Sequence, residues 1–106
     1  MKIRFDEMEV TVLPQFKGGE KEFAANMFFD GTNRIFKGRL VPGATIGMHT
    51  HDDSCEVIFV LEGSVVLRNG YYTYTLKQGD IFILNDREMH SFTSTGEKNM
   101  IMMLQL

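Results

Sequence analysis

Cysteine and histidine are scarce in this chain, and long apolar runs are absent. One thiol, Cys55, excludes a disulfide within the 106 residues and fits a reducing compartment, so a cytoplasmic location is expected. No apolar stretch reaches the roughly 20 residues that a spanning helix needs. The opening MKIRFDEMEV has no apolar core of the kind a signal peptide carries. Charge is balanced to a net −3 without any block of one sign, so neither nucleic acid nor a membrane surface is expected as a partner. A helical period is missing too. One domain, 1–106, is expected, able to bury roughly two-thirds of its unfolded surface.

What is present is a series of short β-type runs. Val10 to Leu13 reads as a strand stopped by Pro14, followed by a loop at Gly18-Gly19. Phe23 to Phe29 ends at Asp30-Gly31. Ile35 to Leu40 alternates, with Phe36, Gly38 and Leu40 on one face and Lys37 and Arg39 on the other. Pro42-Gly43 marks a turn into Ala44 to His51. Glu56 to Leu61 is rich in β-branched and aromatic residues. Ser64 to Arg68 and Tyr71 to Leu76 flank Asn69-Gly70, a strong hairpin signal. Ile81 to Leu84, Met89 to Thr93 and Asn99 to Leu106 complete about ten strands, which predicts an all-β antiparallel sandwich or barrel. Runs such as VIFV and MIMML are apolar on both faces. They predict a covered outer surface, by a second copy of the chain or by its own terminal segments, and a homodimer is the preferred expectation.

Two histidines, His49 and His51, stand one residue apart in the Ala44 to His51 run, with Glu56 shortly after. Side chains at i and i+2 of a strand share a face, so the two imidazoles are expected side by side. His90 lies at the start of another apolar run. Three imidazoles and a carboxylate buried together cost several kcal/mol without a counter-charge, and a dication removes that cost. His49, His51, Glu56 and His90 are therefore candidate ligands of one divalent metal ion, leaving one or two positions for water or substrate.

The pattern resembles the cupin superfamily. That family's first motif places a glycine, His-x-His, a glutamate and a glycine at the spacing found for Gly43, His49, His51, Glu56 and Gly63, within 43–63. The second motif, at 79–94, matches at Gly79 and His90. It departs at Asn85, where a proline is usual, at Arg87, where a glycine is usual, and at Ser94, where an asparagine is usual. The resemblance is to small single-domain bacterial cupins of the oxalate-decarboxylase-like kind. It implies a double-stranded β-helix (jelly-roll barrel), a metal held in the lumen by three histidines and a glutamate, and frequent dimerisation. It favours manganese or iron, with zinc, nickel and copper as alternatives, and makes Glu56 a candidate catalytic base.

The remaining candidates are less specific. Phe36, Gly38, Leu40, Ile58, Val60, Phe82 and Phe92, with Met89, are candidate pocket residues that serve equally as barrel core. Asp52 and Asp53 predict an acidic rim. Cys55 should point away from Glu56 and is read as a packed residue. Relatives that decarboxylate hold substrate with an arginine, for which Arg34, Arg39 and Arg87 are available without a motif position. The expected function is binding of, or action upon, a small oxygen-rich molecule, by dioxygenase, decarboxylase or isomerase chemistry. The alternative is a metal-dependent binding or sensor module without turnover.

Overall fold

The computed structural model describes residues 1–51 and 54–106; the rim expectation at Asp52 and Asp53 lies outside the described residues. The strands are β1 (Thr11–Pro14), β2 (Glu22–Phe29), β3 (Arg34–Leu40), β4 (Thr45–His49), β5 (Glu56–Glu62), β6 (Ser64–Asn69), β7 (Tyr72–Lys77), β8 (Ile81–Leu84), β9 (His90–Thr93) and β10 (Met100–Gln105). Two single 3₁₀ turns, Phe5–Glu7 and Phe16–Gly18, are the helical elements among the described residues. The strands form a six-stranded sheet in the order β1-β2-β3-β10-β5-β8 and a four-stranded sheet in the order β4-β9-β6-β7. All pairings are antiparallel. The architecture is the jelly-roll barrel that the resemblance implies, and it falls within the antiparallel sandwich or barrel that the strand pattern predicts.

Period-two burial explains how the sheets close. Glu56, Ile58 and Val60 of β5 point inward, as do Met100, Met102 and Leu104 of β10. Val65 and Leu67 of β6 and Phe92 of β9 meet them from the other sheet, with Ile46 of β4. These apolar side chains belong to one continuous core. A fully buried Val, Leu, Ile, Phe or Met contributes about 1.5–3 kcal/mol, which is what holds two thin sheets together.

β4 lies at the edge of its sheet, and an exposed edge invites pairing with other chains. Here residues 15–20 cover it. Thr45 donates its N–H to the Glu20 carbonyl at 2.9 Å, and the Glu20 N–H donates to Thr45 Oγ1 at 2.6 Å. The approach is so close that Gly19 and Gly47 have no room for a Cβ: backbone of Thr45 and of Lys17 fills those spaces.

Three local expectations shift. β4 ends at His49 after a register irregularity beginning at Ile46, so His51 lies beyond the strand and not within it. The hairpin loop is Gly70-Tyr71, because Asn69 still pairs with Tyr72. Only Gly70 of those two is left-handed, with φ 60°, which suits a glycine at the first turn position. Pro14 is the last residue of β1 and does not stand outside it, which an edge strand tolerates.

The two-sided apolar runs are covered in part by the chain itself. Phe5, Met8 and Val10 line a cavity of about 270 Å³ with Ala24, Asn26, Arg39 and Ile101, and Asn26 donates from Nδ2 to the carbonyls of Met8 and Glu9. Lys37, on the face of β3 opposite Phe36 and Leu40, is half-buried near this segment with Asp6 at 3.7 Å. At the other end of the same face, Ile81 and Ile83 of β8 remain about 60% exposed.

Candidate metal centre

The inner ends of β4, β9 and β5 converge at one mouth of the barrel. His49 closes β4 and His90 opens β9, and the two are register partners across the sheet. Glu56 opens β5 in the opposing sheet and is 3% exposed, while His90 is 1% exposed. His51 reaches the same point from the segment after β4. Its ring centroid lies 5.0 Å from that of His49 and 5.3 Å from that of His90, and the His49 and His90 centroids are 4.2 Å apart. One donor atom from each of the four residues falls within 4.8 Å of all the others. The side-by-side imidazoles expected from i, i+2 spacing are present, produced by the loop and not by a strand pleat.

Backbone carbonyls set two of the tautomers. His49 Nδ1 lies 2.7 Å from the Gly47 carbonyl oxygen, and His90 Nδ1 lies 2.9 Å from that of Glu88. A carbonyl only accepts, so each Nδ1 carries the proton, and in the neutral ring each Nε2 offers a lone pair. His51 Nε2, His90 Nε2 and Glu56 Oε2 are buried without a hydrogen-bond partner among the described residues. The last two lie 2.9 Å apart in a direction that makes no hydrogen bond, so a neutral His90 ring turns its Nε2 lone pair toward the carboxylate. His51 Nε2 is 3.5 Å from the same oxygen. Buried polar atoms are nearly always satisfied, so three orphans in one cluster form a group that could hold a metal ion.

The electrostatics divide the histidines. Burial is the chief cause that lowers the pKa of His49, with the neighbouring imidazoles adding to it against the Gly47 carbonyl. Burial also lowers His51, opposed by Glu56 and reinforced by His90, Lys17 and Arg34. Burial pulls His90 down as well, but the Glu56 carboxylate and the Glu88 carbonyl outweigh it and leave its pKa raised.

A cleft of about 350 Å³ opens beside His51, lined by Phe29, Thr32, Arg34, Thr50, Ser54 and Leu106. The Arg34 guanidinium lies over the Phe29 ring, 4.5 Å from its centroid. Of the pocket residues expected from alternation, Leu40, Ile58, Val60 and Phe92 are buried in the core, with Phe36 and Phe82 packed against it. The Phe23 ring fills the space beside Gly38. Phe92 does reach the centre, its ring centroid 5.6 Å from that of His90. The cleft-lining Phe29, Thr32, Thr50, Ser54 and Leu106 carry no sequence signal, since strand ends and loops place them. Met89 and Cys55 are exposed, and Arg39 and Arg87 are not among the residues lining this cleft.

The cupin-domain family pattern matches residues 36–105. The chain belongs to the cupin family. A Thermotoga maritima protein named oxalate-binding protein is 24% identical over 106 aligned positions, covering 94% of this chain and 88% of that one. A germin-like protein of Brassica napus is 35% identical over 63 positions, covering 55% of this cupin and 30% of its own length. Among solved structures, a predicted oxalate decarboxylase from Thermotoga maritima superposes with a TM-score of 0.92 at 22% identity, covering 99% of this chain and 96% of that one. The cupin domain of Schizosaccharomyces pombe Cnp3 gives 0.81 at 11% identity, covering 99% and 72%. At such identities these two structures show the shared cupin fold alone.

Proposed function

We propose that this cupin holds one divalent metal ion on His49, His51, Glu56 and His90 and uses it to bind a small oxygen-rich carboxylate in the cleft beside His51. The observation that carries the reading is the set of three buried, unpartnered donor atoms at one point. Three nitrogens and one oxygen suit first-row metals, with manganese or iron favoured and zinc, nickel or copper as alternatives. A bound ion would act as a Lewis acid toward a carboxylate or carbonyl oxygen. The protein's part is to hold Nε2 of each ring toward the centre, to place the Glu56 carboxylate against it, and to present Arg34 to an anion. A guanidinium already lying on an aromatic face has less orientational freedom to lose when it grips a carboxylate. The name of the oxalate-binding relative supports a ligand of this chemistry.

Decarboxylation, oxidative cleavage and isomerisation are the reactions such a centre would serve, with Glu56 as the base. The second reading is a binding module without turnover. It is supported by the Thermotoga maritima relative, whose name is that of a binding protein. Metal analysis tests the first step: a purified protein that stays empty when offered manganese, iron, nickel and zinc rejects the reading. Dioxygen uptake and carbon dioxide release over a panel of carboxylates, diketones and sugars then separate enzyme from binder.

We also propose a homodimer formed through the outer face at β5 and β8, where Ile81 and Ile83 are exposed beside the half-buried Val57 and Phe59. The single thiol supports a cytoplasmic setting.

A further inference from the structure

Three of the four candidate ligands are tied to one turn, residues 85–88. The strand that leads into it, β8, ends on Leu84, the register partner of Glu56. Arg87 donates its N–H to the carbonyl of His51 at 2.7 Å. The Glu88 carbonyl accepts the Nδ1 proton of His90 at 2.9 Å. A shift of this turn would therefore move two imidazoles at once and disturb the strand that carries the carboxylate.

The turn is not self-sufficient. Arg87 is left-handed, with φ 65°, a conformation that side-chain-bearing residues rarely adopt without support. Asn85 presents an N–H that a proline there would lack. The Glu88 carboxylate meets both needs. Its Oε1 accepts the Asn85 N–H at 3.0 Å, closing the turn around Arg87. Its Oε2 accepts from Asn69 Nδ2 at 2.5 Å, anchoring the turn to β6. Asn69 is itself the register partner of His90, so the anchor sits on the strand that aligns the ligand.

We infer that Glu88 is a positioning residue of the metal centre, whose two carboxylate hydrogen bonds hold the 85–88 turn so that its backbone orients His51 and His90. The inference rests on the metal-centre reading and adds a residue outside the ligand set. Groups that orient metal-binding histidines typically alter affinity by about 10–100-fold when removed.

Chelator competition measures manganese(II) and cobalt(II) affinity in wild type, Glu88→Ala, Glu88→Gln, Asn69→Asp and the double variant N69D/E88Q. The visible spectrum of the cobalt form reports ligand geometry. Glu88→Ala and Asn69→Asp should weaken both metals about 10–100-fold and change the cobalt spectrum. Glu88→Gln keeps the bond from Asn85 and should fall between. The double variant exchanges donor and acceptor between the two positions and should recover affinity and spectrum to near wild type. Wild-type affinity and spectrum in Glu88→Ala, with only a lower melting temperature, would overturn the inference and leave the metal centre standing. If Glu88→Ala does not fold, wild-type affinity and spectrum in Asn69→Asp, or a double variant that shows no recovery, overturns it equally. A wild type that takes up neither metal overturns the metal-centre reading, and the role of Glu88 with it.

Discussion

The backbone carbonyl of Lys17 occupies the space that a Cβ on Gly47 would need. Gly47 in turn offers its own carbonyl to His49 Nδ1, so one residue lets the 15–20 segment seat against β4 and orients a candidate ligand. Gly47→Ala should push the segment away from the strand, carrying Phe16 from its place 6.5 Å from the His49 ring. A loss of about 1–3 kcal/mol is expected from such overpacking. Urea unfolding measures it, and an unchanged midpoint would show that the segment is not seated there in solution.

Glu56 sits buried with Oε2 unpartnered, so the apo protein carries a desolvated carboxylate for the sake of the site. Glu56→Gln removes that charge and one metal ligand together. Above neutral pH the apo variant should be more stable than apo wild type by about 1 kcal/mol or more, while metal content falls to background. Thermal melts with and without manganese test both halves. An apo variant less stable than wild type at that pH would mean that Glu56 is satisfied without a metal.

Metal affinity should rise with pH, because ligand imidazoles must be neutral. His49 and His51 have pKa values lowered from 6.5, so in the folded protein they are already neutral near that pH. As pH falls below 6.5 the unfolded chain takes up protons there first, and these two histidines cost the apo protein stability. His90 works in the opposite sense. Its raised pKa gives a stabilising share that is complete below 6.5 and is lost as pH rises through its folded value. The affinity curve should therefore level off only above 6.5, with His90 the last proton to leave. Calorimetry in buffers of different ionisation enthalpy counts that proton, and a midpoint below 6.5 would contradict the assignment.

Arg34→Gln should leave metal content unchanged and weaken small carboxylates by about tenfold, the usual worth of one charge-assisted hydrogen bond. Oxalate titrated into manganese-loaded protein provides the comparison. Equal affinity in the variant would remove Arg34 from the ligand's reach.

Ile83→Lys places a charge at the centre of the exposed apolar strip on β8. Sedimentation should show wild type as a dimer and the variant as a folded monomer. A monomeric wild type would overturn the dimer and leave Ile81 and Ile83 open to solvent.

The strand pattern was legible because burial in two stacked sheets imposes a period of two, and EVIFVL and MIMMLQ obey it on their inner faces. The meeting of His49, His51, Glu56 and His90 was legible because buried imidazoles and a carboxylate at that spacing have few other uses. Tertiary structure decided the rest. It placed His51 on a loop beyond the strand, after the register irregularity between Ile46 and His49. It filled the space beside Gly38 with Phe23 and assembled a cleft from Phe29, Arg34, Thr50 and Leu106, residues no local pattern connects. It also brought Glu88 to Asn69 and Arg87 to His51, pairs far apart in the chain. Periodicity determines which way a strand's side chains face, because the backbone alone enforces it. Which loops meet at the barrel mouth depends on how two sheets pack, and that is settled only by the whole core.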